Sequence, residues 1–426
     1  LGVNNLERQE PGQQLLIGKL AALTREFPYS CLLLSNGYPG SSSELLAGFS
    51  SIADLEEKEP ENCFNRLEKL PAGTFRFGHF SYELKCEVEN LPADPHQLSG
   101  FSASCFFTPE HLLKLATAPG SVAEAGPATF DLLLRTAPAL PGPPTEKITI
   151  QAKTSREEYL RQSKKLLEHI HRGDIYEINY CIGFYAENVK LDPPSLFLRL
   201  NELGGAPFSA LYRNRDSWLI CASPERFLAK KGTRIFSQPI KGTRPRGATA
   251  EEDRAQALSL ASDPKEQSEN VMIVDLVRND LSKIARRGTV KVDELFGIHS
   301  FRTVHQMIST VSAELRDDIS AAKAIRAAFP MGSMTGAPKL RAMELAAEAE
   351  QMPRGLYSGA VGYFTPDGDF DFNVVIRSIL YNAATGYLSF MVGSALTAAA
   401  DPEKEYEECL VKARALFRAL GVKWKE

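Results

Sequence analysis

Beyond residue 155 the apolar positions of this chain change period from one segment to the next. Tyr159, Leu166, Leu167 and Ile170 return at helical spacing, opened by Ser155-Arg156-Glu157-Glu158, which reads as a capping box, and closed by Arg172-Gly173. The same signals predict helices over 156–171, 194–203, 251–261, 264–283, 319–328, 338–350 and 402–420. Short apolar and β-branched runs predict strands over 175–185, 208–213, 217–222, 234–240, 358–364, 372–381 and 387–393. The strands come in hairpin-like groups with few strand–helix–strand alternations. That predicts an α+β fold with large antiparallel or mixed sheets rather than a doubly wound one.

The N-terminal part, 1–115, carries strand-like pieces such as 30–34 and 74–77. Residues 116–146 are dense in Ala, Pro and Gly and read as a surface connection to a core over 150–426. No internal repeat is visible.

Composition narrows the class more than it names a function. With 426 residues, 43% apolar and 24% charged, the chain is that of an ordinary globular protein able to bury a large core. A net charge of -4 gives no reason to expect nucleic acid or an anionic membrane as partner. No apolar run is long enough to span a bilayer, and no signal peptide is seen. Seven cysteines form no CxxC pair, and His169 with His171 fits no metal motif, so a cytoplasmic enzyme is expected.

Two of the expected helices open alike. Asp263-Pro264-Lys265-Glu266-Gln267-Ser268-Glu269 and Asp401-Pro402-Glu403-Lys404-Glu405-Tyr406-Glu407-Glu408 each place Asp at the N-cap and Pro at the first helical position. Glutamates three apart then put Glu266 beside Glu269, and Glu405 beside Glu408, on one face of each helix. Acidic residues in a first turn suit the helix dipole, so capping alone accounts for either helix. If the two faces meet, the carboxylates share a divalent cation such as Mg2+, which takes oxygen ligands. Lys412, one turn past Glu408, lies beside that cation or simply pairs with Glu408 at i,i+4.

Lys241 sits in QPIKGTRPRG (238–247), where a strand runs into a tight turn. It is either a solvated surface cation or a pocket lysine whose pKa is lowered by desolvation and by Arg244 and Arg246, freeing its lone pair. Glu225, directly after an apolar strand, stands where a general acid or base would; taken alone, it is an ordinary turn carboxylate. Arg377, in Val374-Val375-Ile376-Arg377, either points inward to grip a carboxylate or faces water from an edge strand. The loop Gly332-Ser333-Met334-Thr335-Gly336-Ala337-Pro338-Lys339 resembles an anion cradle but lacks the spacing of a P-loop.

The segments SPERF (223–227), PIKGTRPRG (239–247), ENVMIVDLVRNDL (269–281), FPMGSMTGAPKLRAMEL (329–345), YSGAVGYF (357–364), VVIRS (374–378) and EYEECLVKA (405–413), in this order, resemble the chorismate-utilising enzymes. They span most of 155–426, while the first 115 residues match loosely. The resemblance implies two large, mostly antiparallel sheets packed together with helices outside, with 116–146 a loop within one body.

Lysine in PIKGT resembles the branch that aminates chorismate at C4, whereas anthranilate formers generally have alanine there. The resemblance therefore makes Lys241 a nucleophile, Glu225 the proton donor to the departing C4 hydroxyl, and chorismate the substrate. It implies Mg2+ on Glu269 and Glu405, with Glu266 and Glu408 beside them. Arg377 and Lys412 would hold carboxylates, and Gly242, Thr243 and Gly393 would line the pocket.

Three positions depart from the family pattern. Gly393-Ser394-Ala395 replaces a glycine run. Gln306 stands at a usual histidine position, with His305 one residue early and expected to face away. Glu177 stands where water-adding members have lysine and amine-adding members usually glutamine, so it reads either against water addition or as a base. Ammonia is expected from a separate glutamine amidotransferase subunit. The alternatives are an anthranilate former, an isochorismate or salicylate former, or a non-catalytic chorismate binder.

Overall fold

The computed structural model describes residues 11–424 apart from 39, 42, 93–97, 118–122, 141 and 143–147. The period-two segments pair into two large sheets whose ladders run antiparallel throughout. In the first, of eleven strands, Gly336–Ala337, Glu177–Ala186, Tyr387–Thr397, Ser378–Asn382, Ser217–Ser223, Phe208–Asn214, Tyr29–Leu34, Ser43–Ser50, His111–Ala116 and Glu124–Ala125 are successive neighbours, and Gln151–Ala152 pairs with Glu177–Ala186 off this path. The second, of ten, runs Ile240–Pro245, Val304–Glu314, Arg234–Gln238, Arg226–Lys231, Phe370–Val374, Ala360–Phe364, Arg76–Phe80, Ser104–Phe107 and Leu55–Glu57, with Lys291–Ser300 paired to Val304–Glu314 off this path.

Side-chain alternation assigns the layers. Ile178, Tyr180, Ile182 and Phe184 pack against Tyr159, Leu166 and Ile170 of the helix Arg156–Arg172 and against Leu416 and Phe417 of Pro402–Ala419. The intervening Cys181 joins Met391 and Tyr357 in a cluster with Phe227 and Phe372 of the second sheet. A further core is drawn from both sheets, Cys31, Leu46, Tyr212 and Leu219 from one and Phe77, Phe107 and Val361 from the other. Helices Pro264–Ser282 and Ala321–Ala328 pack through Ile273, Val277 and Ile325 with Ile235 and Val311.

The N-terminal strands are built into the same two sheets as the later core: Tyr29–Leu34 pairs with Phe208–Asn214, and Arg76–Phe80 with Ala360–Phe364. Part of 116–146 lies outside the described residues. The described part holds the strand Glu124–Ala125, on the sheet edge, and the helix Pro127–Arg135, whose Leu133 is buried in the core.

Two expected strands divide. The run 234–240 becomes Arg234–Gln238 and Ile240–Pro245 around Pro239, which has no N–H to give to a ladder. The run 372–381 becomes Phe370–Val374 in the second sheet and Ser378–Asn382 in the first, with Arg377 between them at φ +51°. The long strand Lys291–Ser300 escapes the periodicity because it is mostly solvent-facing and its register shifts twice against Val304–Glu314.

Candidate active site

Lys241 lies on the edge strand of the second sheet, opposite Met307, and its register slips at Gly242. Gly242 has φ +80°, and a Cβ there would meet Leu260 Cδ1 at 2.8 Å and Glu266 Oε2 at 3.0 Å, so only glycine lets the turn pass beneath that carboxylate. The Lys241 side chain crosses to the first sheet, where Nζ donates to Glu177 Oε1 at 2.6 Å and lies 3.8 Å from Glu269 Oε2. Both Lys241 and Glu177 are nearly inaccessible, with side chains 11% and 2% exposed. Lys241 is therefore buried rather than a solvated surface cation.

Its electrostatics differ from the expectation. Burial pulls the ammonium's pKa down, but Glu177 and Glu269 outweigh it and push it above the ordinary lysine value. The two arginines expected to lower it are engaged elsewhere. Arg244 pairs with Asp263 at 2.6 Å and Glu266 at 3.6 Å, and Arg246 forks onto Asp253 at 2.6 and 2.7 Å.

The two Asp-Pro helices form as their sequences require. Asp263 accepts from the backbone N–H groups of Lys265 and Glu266, and Asp401 from that of Glu403. Their glutamate faces meet through Lys265, whose Nζ lies 2.8 Å from Glu405 Oε1 and 3.7 Å from Glu269 Oε1. Burial pushes the Glu269 carboxyl up to about 7 against the pull of Lys241 and Lys265, and burial also raises Glu266. Glu408 is likewise raised by burial, but Lys412, 2.7 Å away, outweighs this and holds it below the ordinary value. Lys412 also donates to the Gly393 carbonyl at 2.8 Å, so the expected i,i+4 pair forms at the pocket wall.

Among the described residues no three carboxylate, imidazole or thiolate groups converge on one cation position. The donor chemistry nevertheless suits a hard dication: Glu269 and Glu405, one from each helix, share the Lys265 ammonium, and buried Glu269 Oε1 makes no hydrogen bond.

Glu225 is 5% exposed, and burial pushes its carboxyl up to about 7, with Ser333 and then Lys241 pulling it back. Ser333 Oγ is itself buried beside that carboxyl. Arg377 stands where the chain crosses from one sheet to the other, and its guanidinium makes no hydrogen bond or ion pair with any described residue. Burial lowers its pKa, offset by Tyr357 and Glu408. Arg377 lies in no strand, between Phe370–Val374 and Ser378–Asn382, so the edge-strand expectation is corrected, while its burial is compatible with the inward one.

A Cβ on Gly393 would meet Cys181 Sγ at 2.7 Å and Asn179 Oδ1 at 2.8 Å, which explains glycine there. Thr243, exposed, pairs across the ladder with Gln306, whose buried Oε1 has no partner. His305 is turned to Asp253 and Ser300, both at 2.9 Å, away from Lys241, as its position one residue early predicts. Lys339 donates to Asp280 at 2.6 Å, so the 332–339 loop contributes Ser333 to the site and not an anion cradle ending in a free lysine. Ser333 and Lys265 lie inside segments legible in the sequence, yet nothing in their spacing singles them out.

A buried lysine between two carboxylates, a guanidinium with no ion pair among the described residues and a group of glutamates thus come together where the two sheets meet. Residues 35–418 match the family of chorismate binding enzymes, and the chain belongs to that family. It is 44% identical over 273 residues to the aminodeoxychorismate synthase of Streptomyces griseus, a match covering 64% of this chain and 37% of that protein. It is 38% identical over 281 residues to aminodeoxychorismate synthase component 1 of Escherichia coli K12, covering 65% and 61%. The chain thus spans less than two thirds of the length of either. Among solved structures, anthranilate synthase component I from Streptococcus pneumoniae superposes with a TM-score of 0.72 at 25% identity, over 91% of this chain and 89% of that one.

Proposed function

We propose that this chain aminates chorismate at C4 to give 4-amino-4-deoxychorismate, on the route to p-aminobenzoate and folate. The observation that carries the reading is Lys241, buried in the pocket with Nζ 2.6 Å from Glu177 and beside a Glu225 carboxyl raised to about 7. The names of the Streptomyces and E. coli relatives support it.

Glu177 takes the proton from the Lys241 ammonium, and the neutral amine attacks the chorismate ring. The ring double bonds shift and the C4 oxygen leaves as water, using the proton held by Glu225. Ammonia then adds at C4 and releases Lys241, so the balance is chorismate plus ammonia giving the amino product plus water. Arg377 and Lys412 hold the substrate carboxylates, and Gly242, Thr243 and Gly393 leave room for the ring. Glu269 and Glu405, with Glu266 and Glu408 directly or through water, hold Mg2+, which when bound neutralises a substrate carboxylate.

Ammonia comes from a separate glutamine amidotransferase subunit, in keeping with the words "component 1" in the E. coli relative's name. A cytoplasmic location is part of the proposal; separately, no helix among the described residues is long and apolar enough to cross a membrane.

Product identification tests this. The chain and a Lys241→Ala variant are incubated with chorismate, Mg2+ and an ammonium salt at mildly alkaline pH, and products are separated by chromatography and mass. Formation of p-aminobenzoate only after adding an aminodeoxychorismate lyase, with loss in the variant, supports the reading. Anthranilate or isochorismate as product overturns it.

A further inference from the structure

Each carboxylate at the mouth of the site has a cation from the chain itself. Lys412 serves Glu408, Arg244 serves Glu266, Lys241 serves Glu177 and Glu269, and Lys265 serves Glu405 and Glu269. Three of these cations are held down: the side chains of Lys241, Arg244 and Lys412 are 11%, 28% and 28% exposed, and Arg244 and Lys412 have further partners in Asp263 and the Gly393 carbonyl. Lys265 is different. Its side chain is 49% exposed, and its ammonium reaches over the first turn of its own helix to a glutamate on the facing helix.

We propose that Lys265 is a built-in counter-ion for the metal-free carboxylate cluster, and that divalent metal binds by displacing its ammonium into solvent. The inference rests on the reading that these glutamates hold Mg2+. A tethered ammonium acts at an effective concentration in the millimolar range, so it competes with free Mg2+ at comparable concentrations. A dication offers twice the charge to the same oxygens but gives up its waters reluctantly. Exchange is therefore close to balanced, and chain geometry sets the direction. Glu269 Oε1, buried and without a hydrogen bond, is 3.7 Å from the ammonium, so Lys265 satisfies Glu405 well and Glu269 poorly. A metal that draws both carboxylates to itself repairs that deficit, and the half-exposed lysine leaves without disturbing the core. Lys265 is in this sense a positioning residue: it keeps the glutamates apart and charged-balanced until the metal arrives.

The test is Mg2+ titration of the full chain by calorimetry, alongside thermal melts of the metal-free and Mg2+-loaded forms. Lys265→Met, Lys265→Gln and Lys265→Arg are compared with the wild type, and Glu405→Gln marks loss of the metal site. The proposal predicts that Lys265→Met and Lys265→Gln bind Mg2+ on the order of threefold to tenfold more tightly. They melt lower than the wild type without metal and recover that loss when Mg2+ is added. Lys265→Arg keeps wild-type affinity or weaker. Equal Mg2+ affinity in the wild type and both neutral variants, with binding lost in Glu405→Gln, overturns the exchange while leaving the glutamate metal site standing. Weaker binding in the neutral variants also overturns it, by making Lys265 a support of the metal site. No Mg2+ binding by any form overturns the metal reading and the exchange together.

Discussion

Two charge clusters sit a few residues apart on one stretch of chain, and they are built to opposite rules. Around Asp253 every acceptor is used: Arg246 forks onto the carboxylate, the Gly247 N–H donates at 2.9 Å, and His305 lies at 2.9 Å. Those bonds, the Arg246 fork foremost, hold the Asp253 carboxyl well below the usual carboxylate range. Around Lys241 the acceptors are left over. Glu177 Oε2, Glu269 Oε1 and Gln306 Oε1 are buried with no hydrogen-bond partner, and burial raises Glu225 and Glu269 to about 7. Buried polar atoms left unpaired cost stability, so a fold that keeps several of them together holds them for something that binds. The first cluster pins the strand end; the second is where the proposed reaction would take place.

The sharpest way to break that contrast is to empty its centre. Lys241→Ala should lower kcat for amination by on the order of 10^3 or more, measured as product formed from chorismate and ammonia. Glu225→Gln should cost roughly 10^2 to 10^4 in kcat, the span of general acid catalysis. The wild-type pH profile carries a distinct mark, since a proton donor with its pKa at about 7 loses activity as pH rises through that value. The variant, with nothing to deprotonate, should lack that limb.

Arg377→Ala removes an unpaired guanidinium and should raise KM for chorismate about 10- to 100-fold with a smaller change in kcat. Asp253→Asn tests the other cluster. It should lower the melting temperature while leaving KM for chorismate unchanged, because no substrate group is held there. A rise in KM comparable to that of Arg377→Ala would erase the distinction between the two clusters.

Much of the fold is legible in local pattern. Asp-Pro openings and first-turn glutamates mark the helices Pro264–Ser282 and Pro402–Ala419, and hairpin-like grouping of strands gives the antiparallel sheets. What escapes is set by distant partners. The β-branched run Val374-Val375-Ile376 carries no sign that the chain turns left-handed at Arg377 and changes sheet, because that turn is imposed by the packing of two sheets. The direction of the Lys241 shift escapes for the same reason. Its nearest sequence neighbours with charge are arginines, which argue for a lowered pKa, while the groups that decide it, Glu177 and Glu269, come from 64 residues before and from the helix Pro264–Ser282. Sequence proximity is a poor guide to a buried charge whose partners arrive through the fold.

The central claim is that Lys241 forms a bond to the substrate, and peptide mapping tests it most directly. The chain is mixed with chorismate and Mg2+ without ammonia, quenched in acid, digested and read by mass spectrometry. The account predicts that the peptide containing Lys241 gains the mass of chorismate less one water, and that the gain vanishes when ammonia is added before the quench. An unmodified Lys241 peptide, together with a Lys241→Ala variant that still aminates chorismate at the wild-type rate, would contradict it.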